Sequence, residues 1–331
     1  MTSQLKYFFS IALFFSSNTL CADENEQNQE TTWSYETESP EPDASDIVAP
    51  MVSFILPGAG QWMRGQVFSG TLYSGVALAG LSYAEHSRTE IGHKKIDDTE
   101  ISQKGFAQRK YMLGLQTYQA SGGMSLYHTF RSAVWQRQKF GQYAFLTRSE
   151  TPVQLMTAPF DFQYLKRPST YIPLAIGGLA SWYLASHPPK GYTKSRLQRE
   201  DPMFATAFSF NAGAHEEAMF RGWIMPVIYD KGLSGPWVNV TQATLFALAH
   251  LGSTNIPLPQ FFLGLHLGNV TLKNQWTLSE AVFIHVWWDI IAFLSSYSYE
   301  KTNQDQVGTS NQEKAFRRPV PLILPPIQVF F

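Results

Sequence analysis

From residue 232 to residue 272 the chain carries no Asp, Glu, Lys or Arg, and extending the window to residue 299 adds only Lys273, Glu280 and Asp289. Charged side chains collect on the wetted surface of a soluble domain, so a run without them points to a different solvent. A helix crosses a bilayer with about 20 mostly apolar residues, and this window has room for about three. The feature predicts an all-α protein, a multi-pass transmembrane helical bundle with the lipid bilayer as a partner.

Further apolar runs extend the pattern. The predicted spans are residues 65–84, 111–130, 169–186, 203–229, 236–252, 257–272 and 276–299, the second interrupted by Gln116, Gln119 and His128. Residues 51–63 contain LPGAGQ, which predicts a re-entrant or interfacial turn rather than a span. Topology stays open. The loops 86–110, 131–167 and 190–199 are all basic, and they cannot all be cytoplasmic if every segment between them crosses once.

Residues 1–22 have one lysine, a short apolar run and then small and polar residues, the layout of a secretory signal peptide. An uncleaved anchor helix is the alternative. Residues 23–48 read as a disordered acidic leader, since the stretch from Asp23 to Asp46 lacks Lys and Arg. The remaining divisions are a membrane-associated helical region at 49–200, a core at 201–300 and a tail at 301–331 that ends in a proline-rich run. Cys21 is the only cysteine, so neither a disulfide nor thiol chemistry is expected of the mature chain. The net charge of −1 gives no electrostatic footprint for nucleic acid. A bacterial-style leader followed by multiple spans predicts the inner (cytoplasmic) membrane of a bacterium.

Against this apolar background the ionisable residues stand out, because such groups inside a membrane are costly and point to function. Glu216, Glu217 and Arg221 share one predicted helix. Glu217 and Arg221 are four apart and can neutralise each other on one face, while Glu216 is turned roughly 100° away. This division assigns Glu217–Arg221 to structural support and leaves Glu216 as the reactive carboxylate. FALAH places His250 on a second helix, and HVWWD places His285 and Asp289 four apart on a third. A carboxylate base, two imidazoles and a further carboxylate suit activation of water with stabilisation of an oxyanion. The nitrogen and oxygen donors His250, His285 and Glu216 equally suit a metal such as zinc, and the choice between zinc and no metal stays open. His215 fails the zincin H-E-x-x-H pattern because position 219 is Met. His128 and His266 read as packing residues, Trp287 and Trp288 as interface or packing aromatics, and Glu280 as a solvated or helix-N-terminal charge.

EEAMFR at 216–221, FALAH at 246–250 and HVWWD at 285–289 resemble the three ordered motifs of the CPBP intramembrane proteases. That family includes the type II CAAX prenyl endopeptidases and bacterial Abi-type proteins. The stretch from residue 261 to 289 also resembles the family's link between its third and fourth core helices, with a Gly-rich turn. The resemblance covers about residues 203–299. It implies an intramembrane peptidase in which Glu216 activates water, His250 binds the water or the oxyanion, and His285 and Asp289 complete the site. Glu217 and Arg221 would support it. Many members carry Asn where this chain has Asp289; an anion is a poor oxyanion donor, so orienting His285 is the role expected here. Both a metalloprotease and a metal-free glutamate mechanism are compatible with the family. The implied partner is a membrane-associated protein or peptide substrate, and a bacterial-style leader argues against a prenylated CAAX chain. The alternative is a non-catalytic membrane scaffold or immunity-type protein that keeps the network for helix packing.

Overall fold

The computed structural model describes residues 44–92, 100–148, 150–188, 192–251 and 257–301. The signal peptide expected at 1–22 and the tail after Lys301 lie outside the described residues, as does most of the acidic leader. The first described helix, α1 (Ala44–Ile55), already includes residues 44–48 of that leader. After it come α2 (Ala59–Met63), α3 (Val67–Gly92), α4 (Glu100–Gln138), α5 (Pro152–Thr157) and α6 (Pro168–Ser186). The second half contains α7 (Asp201–Met219), α8 (Met225–Asp230), α9 (Gly235–Ala249), α10 (Leu258–Lys273) and α11 (Ser279–Tyr297). All-α is therefore the fold class, as the apolar runs predict.

Helix α7 is the axis of the bundle: α4 packs on one flank of it and α11 on the other. Helices α3 and α1 lie against α4, α9 and α10 pack on each other, and α6 covers α11. A two-stranded antiparallel clasp, β1 (Tyr192–Lys194) with β2 (Tyr299–Lys301), joins the chain just before α7 to the chain just after α11. The Tyr192 and Tyr299 rings meet edge to face across it, 5.5 Å apart.

Among the described residues no helix is long and apolar enough to cross a membrane, which corrects the expectation of spanning segments. Two causes are visible. Helices α9 and α10 have 15 and 16 residues, fewer than the roughly 20 a bilayer needs. Helices α4, α7 and α11 are longer, but each spends part of its length on polar or ionisable side chains. Two outward faces are apolar all the same: α6 exposes Ile172, Ile176, Leu179 and Trp182, and α9 exposes Trp237 and Leu248.

LPGAGQ folds as the expected turn, between α1 and α2, with Gly58 at φ 95°. The turn is anchored by a buried polar knot. Gln61 donates to the Ser125 carbonyl at 2.8 Å and accepts from the Ser125 hydroxyl at 2.6 Å. The amides of Gly58 and Gly60 donate to the hydroxyls of Ser125 and Ser53, each at 2.9 Å. These bonds pair the Gln61 side chain and the Gly58 and Gly60 amides with protein partners, and α1 is tied to the middle of α4.

Two glycines on α4 use that proximity. A Cβ at Gly122 would lie 2.5 Å from the Phe54 carbonyl oxygen, and one at Gly123 would lie 2.7 Å from the His215 Cβ. Only glycine lets α1 and α7 approach α4 from two directions at one level. By contrast, the Gly-rich turn expected in residues 261–289 is a helix: Gly264 and Gly268 belong to α10. Their lack of side chains admits the neighbouring helix, Ala243 against Gly264 and Asn239 against Gly268. The actual turn follows at Gln275 and Trp276, both left-handed at φ 57° and 66°, with the Trp276 ring held against Phe145 and Tyr229.

Candidate functional site

Helix α7 delivers Glu216 and Glu217 in its last turn and then changes pitch. Phe220–Ile224 forms a π-helical turn before α8. Pro226 accounts for it: proline has no N–H to return to the carbonyl one turn back, and its ring clashes with that carbonyl. A π-turn absorbs the mismatch, a device frequent at functional sites. Arg221 lies within this wider turn.

There the Arg221 guanidinium donates from Nη1 to Glu217 Oε1 at 2.9 Å and from Nη2 to the Gly264 carbonyl at 3.2 Å. Its face lies over the Phe246 ring, 4.5 Å from the centroid. The same Glu217 oxygen lies 2.7 Å from His285 Nδ1. An ion-paired carboxylate accepts, so Nδ1 carries the proton and donates. Arg221, Glu217 and His285 thus form one chain of charge-assisted contacts linking α7, α10 and α11. Both Glu217 and Arg221 are wholly buried.

Glu216 occupies the other side of α7, as the helix geometry predicts. It is 2% exposed, and neither carboxylate oxygen accepts a hydrogen bond from the protein. The Nε2 atoms of His285 and His250 face its Oε2 at 3.8 and 3.9 Å. His250 Nδ1 lies 2.7 Å from the Phe246 carbonyl. It must donate there, which leaves Nε2 of the neutral ring as an acceptor. Asp289 Oδ2 lies 3.5 Å from His285 Nε2, on the same side as Glu216. Glu217, rather than Asp289, therefore makes the hydrogen bond that orients the His285 ring. All six motif residues converge within one buried cluster.

A cavity of about 10 Å³ opens beside Glu216, at the threshold for holding one water. Its polar lining is Gln119, His215, Glu216 and His250, and its apolar lining includes Phe54 and Phe220. His215, set aside as a zincin ligand, is thus part of the wall, with Nδ1 against the Asn211 carbonyl. Phe54 and Gln119 come from α1 and α4; the sequence marks Gln119 only as a polar interruption of an apolar run and Phe54 not at all, because only packing brings them to α7. Phe246 does carry a signal, standing four residues before His250 on one helix face. Its ring contacts Phe220, His250 and His285, with centroids 5.1, 4.6 and 5.8 Å away.

As a metal set the residues do not fit. Among the described residues no group of three or more His, Cys, Asp or Glu side chains is arranged to hold a metal ion. Zinc needs donors aimed at one point from about 2.0–2.2 Å. Here His285 commits Nδ1 to Glu217 and turns Nε2 to Asp289 as well as to Glu216.

The remaining candidates fall into packing roles. His266 Nε2 meets the Ser169 carbonyl at 2.8 Å and His128 Nδ1 the Tyr73 hydroxyl at 3.3 Å. Trp287 donates to the Pro159 carbonyl at 3.0 Å, and Trp288 lies against Gly177. Glu280 is a helix-N-terminal charge, in the first turn of α11, and it is buried rather than solvated. It accepts from Ser169, Thr170, Asn274 and the Arg167 guanidinium, which tie α6 to the start of α11.

Residues 198–291 match the Rce1-like family, described as type II CAAX prenyl endopeptidase Rce1-like. The match covers the C-terminal part of the chain, contains all six clustered residues, and falls in the family that the three motifs resemble. No curated protein and no solved structure matches the chain.

Proposed function

We propose that the protein is an endopeptidase in which Glu216 activates water to hydrolyse a peptide bond of a membrane-associated substrate. One observation carries the reading: a buried carboxylate free of hydrogen bonds from the protein, beside a water-sized cavity and facing two imidazoles. A carboxylate kept for structure would be held by donors, as Glu280 is on both oxygens and Glu217 is on Oε1; Asp289 also accepts no hydrogen bond, but it does not line the cavity.

In this reading a water between Glu216 and His250 gives one proton to the Glu216 carboxylate as its oxygen bonds to the carbonyl carbon. The carbonyl π electrons move to the oxygen, and His285 Nε2 supplies the donor for that oxyanion when the ring is protonated. The proton on Glu216 then passes to the leaving nitrogen as the C–N bond breaks. Glu217 and Arg221 hold the His285 ring, and no step requires a metal. Asp289 bears on the same ring from the Nε2 side, where its charge favours a proton on that nitrogen.

Contact with lipid is supported by the apolar outer faces of α6 and α9 and by the family matched. Patches of that extent on a folded protein mark an interaction surface. A membrane-associated peptide is accordingly the substrate class.

The test compares two variants of the purified protein. Glu216→Gln is expected to lower turnover about 10³-fold, within the range for losing a general base, at near wild-type thermal stability. Arg221→Ala removes one partner of a buried pair and is expected to cost about 3 kcal/mol of stability. Equal loss of stability in both variants, with no turnover by the wild type, would support a packing scaffold instead, and turnover retained in Glu216→Gln would remove Glu216 from the mechanism.

A further inference from the structure

The cavity beside Glu216 has four polar lining side chains, and one of them, Gln119, belongs to α4, outside the segment that matches the family. We infer that Gln119 is a positioning residue that orients the attacking water by donating an amide N–H to one of its lone pairs. The inference rests on the reading of Glu216 as the base.

A buried water makes about three hydrogen bonds, and a nucleophilic one must keep one lone pair directed at the carbonyl carbon. Glu216 and His250 are both acceptors in the resting site, the first as a carboxylate and the second through Nε2, since its Nδ1 donates to the Phe246 carbonyl. They can take the two protons of the water and leave both lone pairs undirected. A donor is needed to occupy one of them. His215 lines the cavity but points Nδ1 at the Asn211 carbonyl, and the other linings, Phe54, Met219, Phe220 and Ala249, have no polar side chain. Gln119 is the one amide in the lining and can supply an N–H. With it, the water has two acceptors, one donor and a single lone pair left for attack. A side chain that fixes a nucleophilic water contributes through geometry rather than chemistry, as in phosphoryl transfer.

The placement of Gln119 is built into the packing. It lies one helical turn before Gly123, on the same face of α4, and Gly123 is where α4 touches the His215 backbone and Cβ. The polar knot at Ser125 and Gln61 fixes the following turn of α4. Before Gln119, the Asn211 amide of α7 donates to the Thr117 hydroxyl at 3.3 Å, so contacts on both sides hold Gln119 in the cavity wall, as a positioning group requires.

The experiment uses the full chain in detergent micelles and a library of quenched fluorescent peptides carrying a hydrophobic anchor. Kinetics are followed on the peptide that the wild type cleaves fastest. Gln119→Met keeps length and volume but cannot donate, and Gln119→Glu keeps the acceptor alone. Both are expected to lower kcat 10- to 100-fold with KM within twofold and thermal stability unchanged. A kcat for Gln119→Met within twofold of wild type would overturn the inference, as would a fall in kcat matched by a fall in stability. Glu216→Gln is run beside them to separate the two ideas. If it is inactive while Gln119→Met is fully active, only the inference fails. If it retains turnover, or if the wild type cleaves no library peptide, the reading of Glu216 fails and the inference with it.

Discussion

Two neighbouring glutamates in this chain have opposite surroundings. Glu217 receives the Arg221 guanidinium and the His285 N–H on one oxygen, whereas Glu216 receives no hydrogen bond. The difference follows from the 100° step between successive helix positions and was legible before any coordinates. Which residue holds His285 was not. Residues 285 and 289 share a helix face, so the spacing favours Asp289, but the shortest contact comes from Glu217 on α7. Glu217→Gln keeps the shape but removes the anion: the bond from a neutral His285 becomes neutral–neutral, roughly half as strong, and the buried Arg221 loses its counter-charge. It is expected to cost about 2 kcal/mol in denaturant unfolding and to lower turnover 10- to 100-fold at unchanged KM. Phe246→Ala removes the ring shared by Arg221, His250 and His285. Loss of a buried phenylalanine costs about 3–5 kcal/mol, readable in the same unfolding experiment.

Among the elements, α4 sets the geometry of the site without contributing to the three motifs. Its adjacent glycines admit α1 and α7 together, so Gly123→Ala must push α7 or His215 away. Overpacking of this kind costs about 1–3 kcal/mol, and because His215 and Glu216 line the cavity, activity should fall along with stability. Gly75 on α3 is the internal control, with nothing within 4 Å of an added Cβ. Gly75→Ala is expected to leave turnover unchanged and to raise stability by up to about 1 kcal/mol, since alanine loses less entropy in a helix. The reverse ranking of these two alanines in thermal unfolding would contradict the packing described. The π-turn at Phe220–Ile224 belongs to this scale too. Pro226 is plain in the sequence as a helix breaker, but a break and a pitch change are both compatible with it, and the packing around Arg221 selects the pitch change.

Taken as a whole, the molecule pairs a buried polar centre with apolar outward faces on α6 and α9. That arrangement explains why a run without charge reads as membrane helices although no described helix meets the length and apolarity of a span. The apolar residues are divided between the interior and the outward faces of short helices, so no single helix accumulates enough of them. Two predictions belong here. The protein is expected to float with vesicles of mixed anionic and zwitterionic phospholipid in a density gradient, and Leu179→Glu combined with Trp182→Glu on α6 should shift it to the bottom fraction. Turnover is expected to survive exhaustive dialysis against a chelator, because the clustered donors are not arranged for a metal. Loss of activity restored by added zinc would overturn the metal-free mechanism.

The helical class and the placement of Glu216 and Glu217 on different sides of one helix are properties of the sequence alone. So is the grouping of Glu216, His250 and His285 as a set. Each depends on local periodicity or on the cost of placing charge among apolar residues, and neither needs a partner to be known. The tertiary structure decided what Glu216 meets: the cavity, the hold of Glu217 on His285, the burial of Glu280, and the arrival of Phe54 and Gln119. Those contacts join residues far apart in the chain through close helix packing, which depends on side-chain shape and glycine placement in three dimensions. Periodicity along one helix carries no record of which face of another helix it will meet.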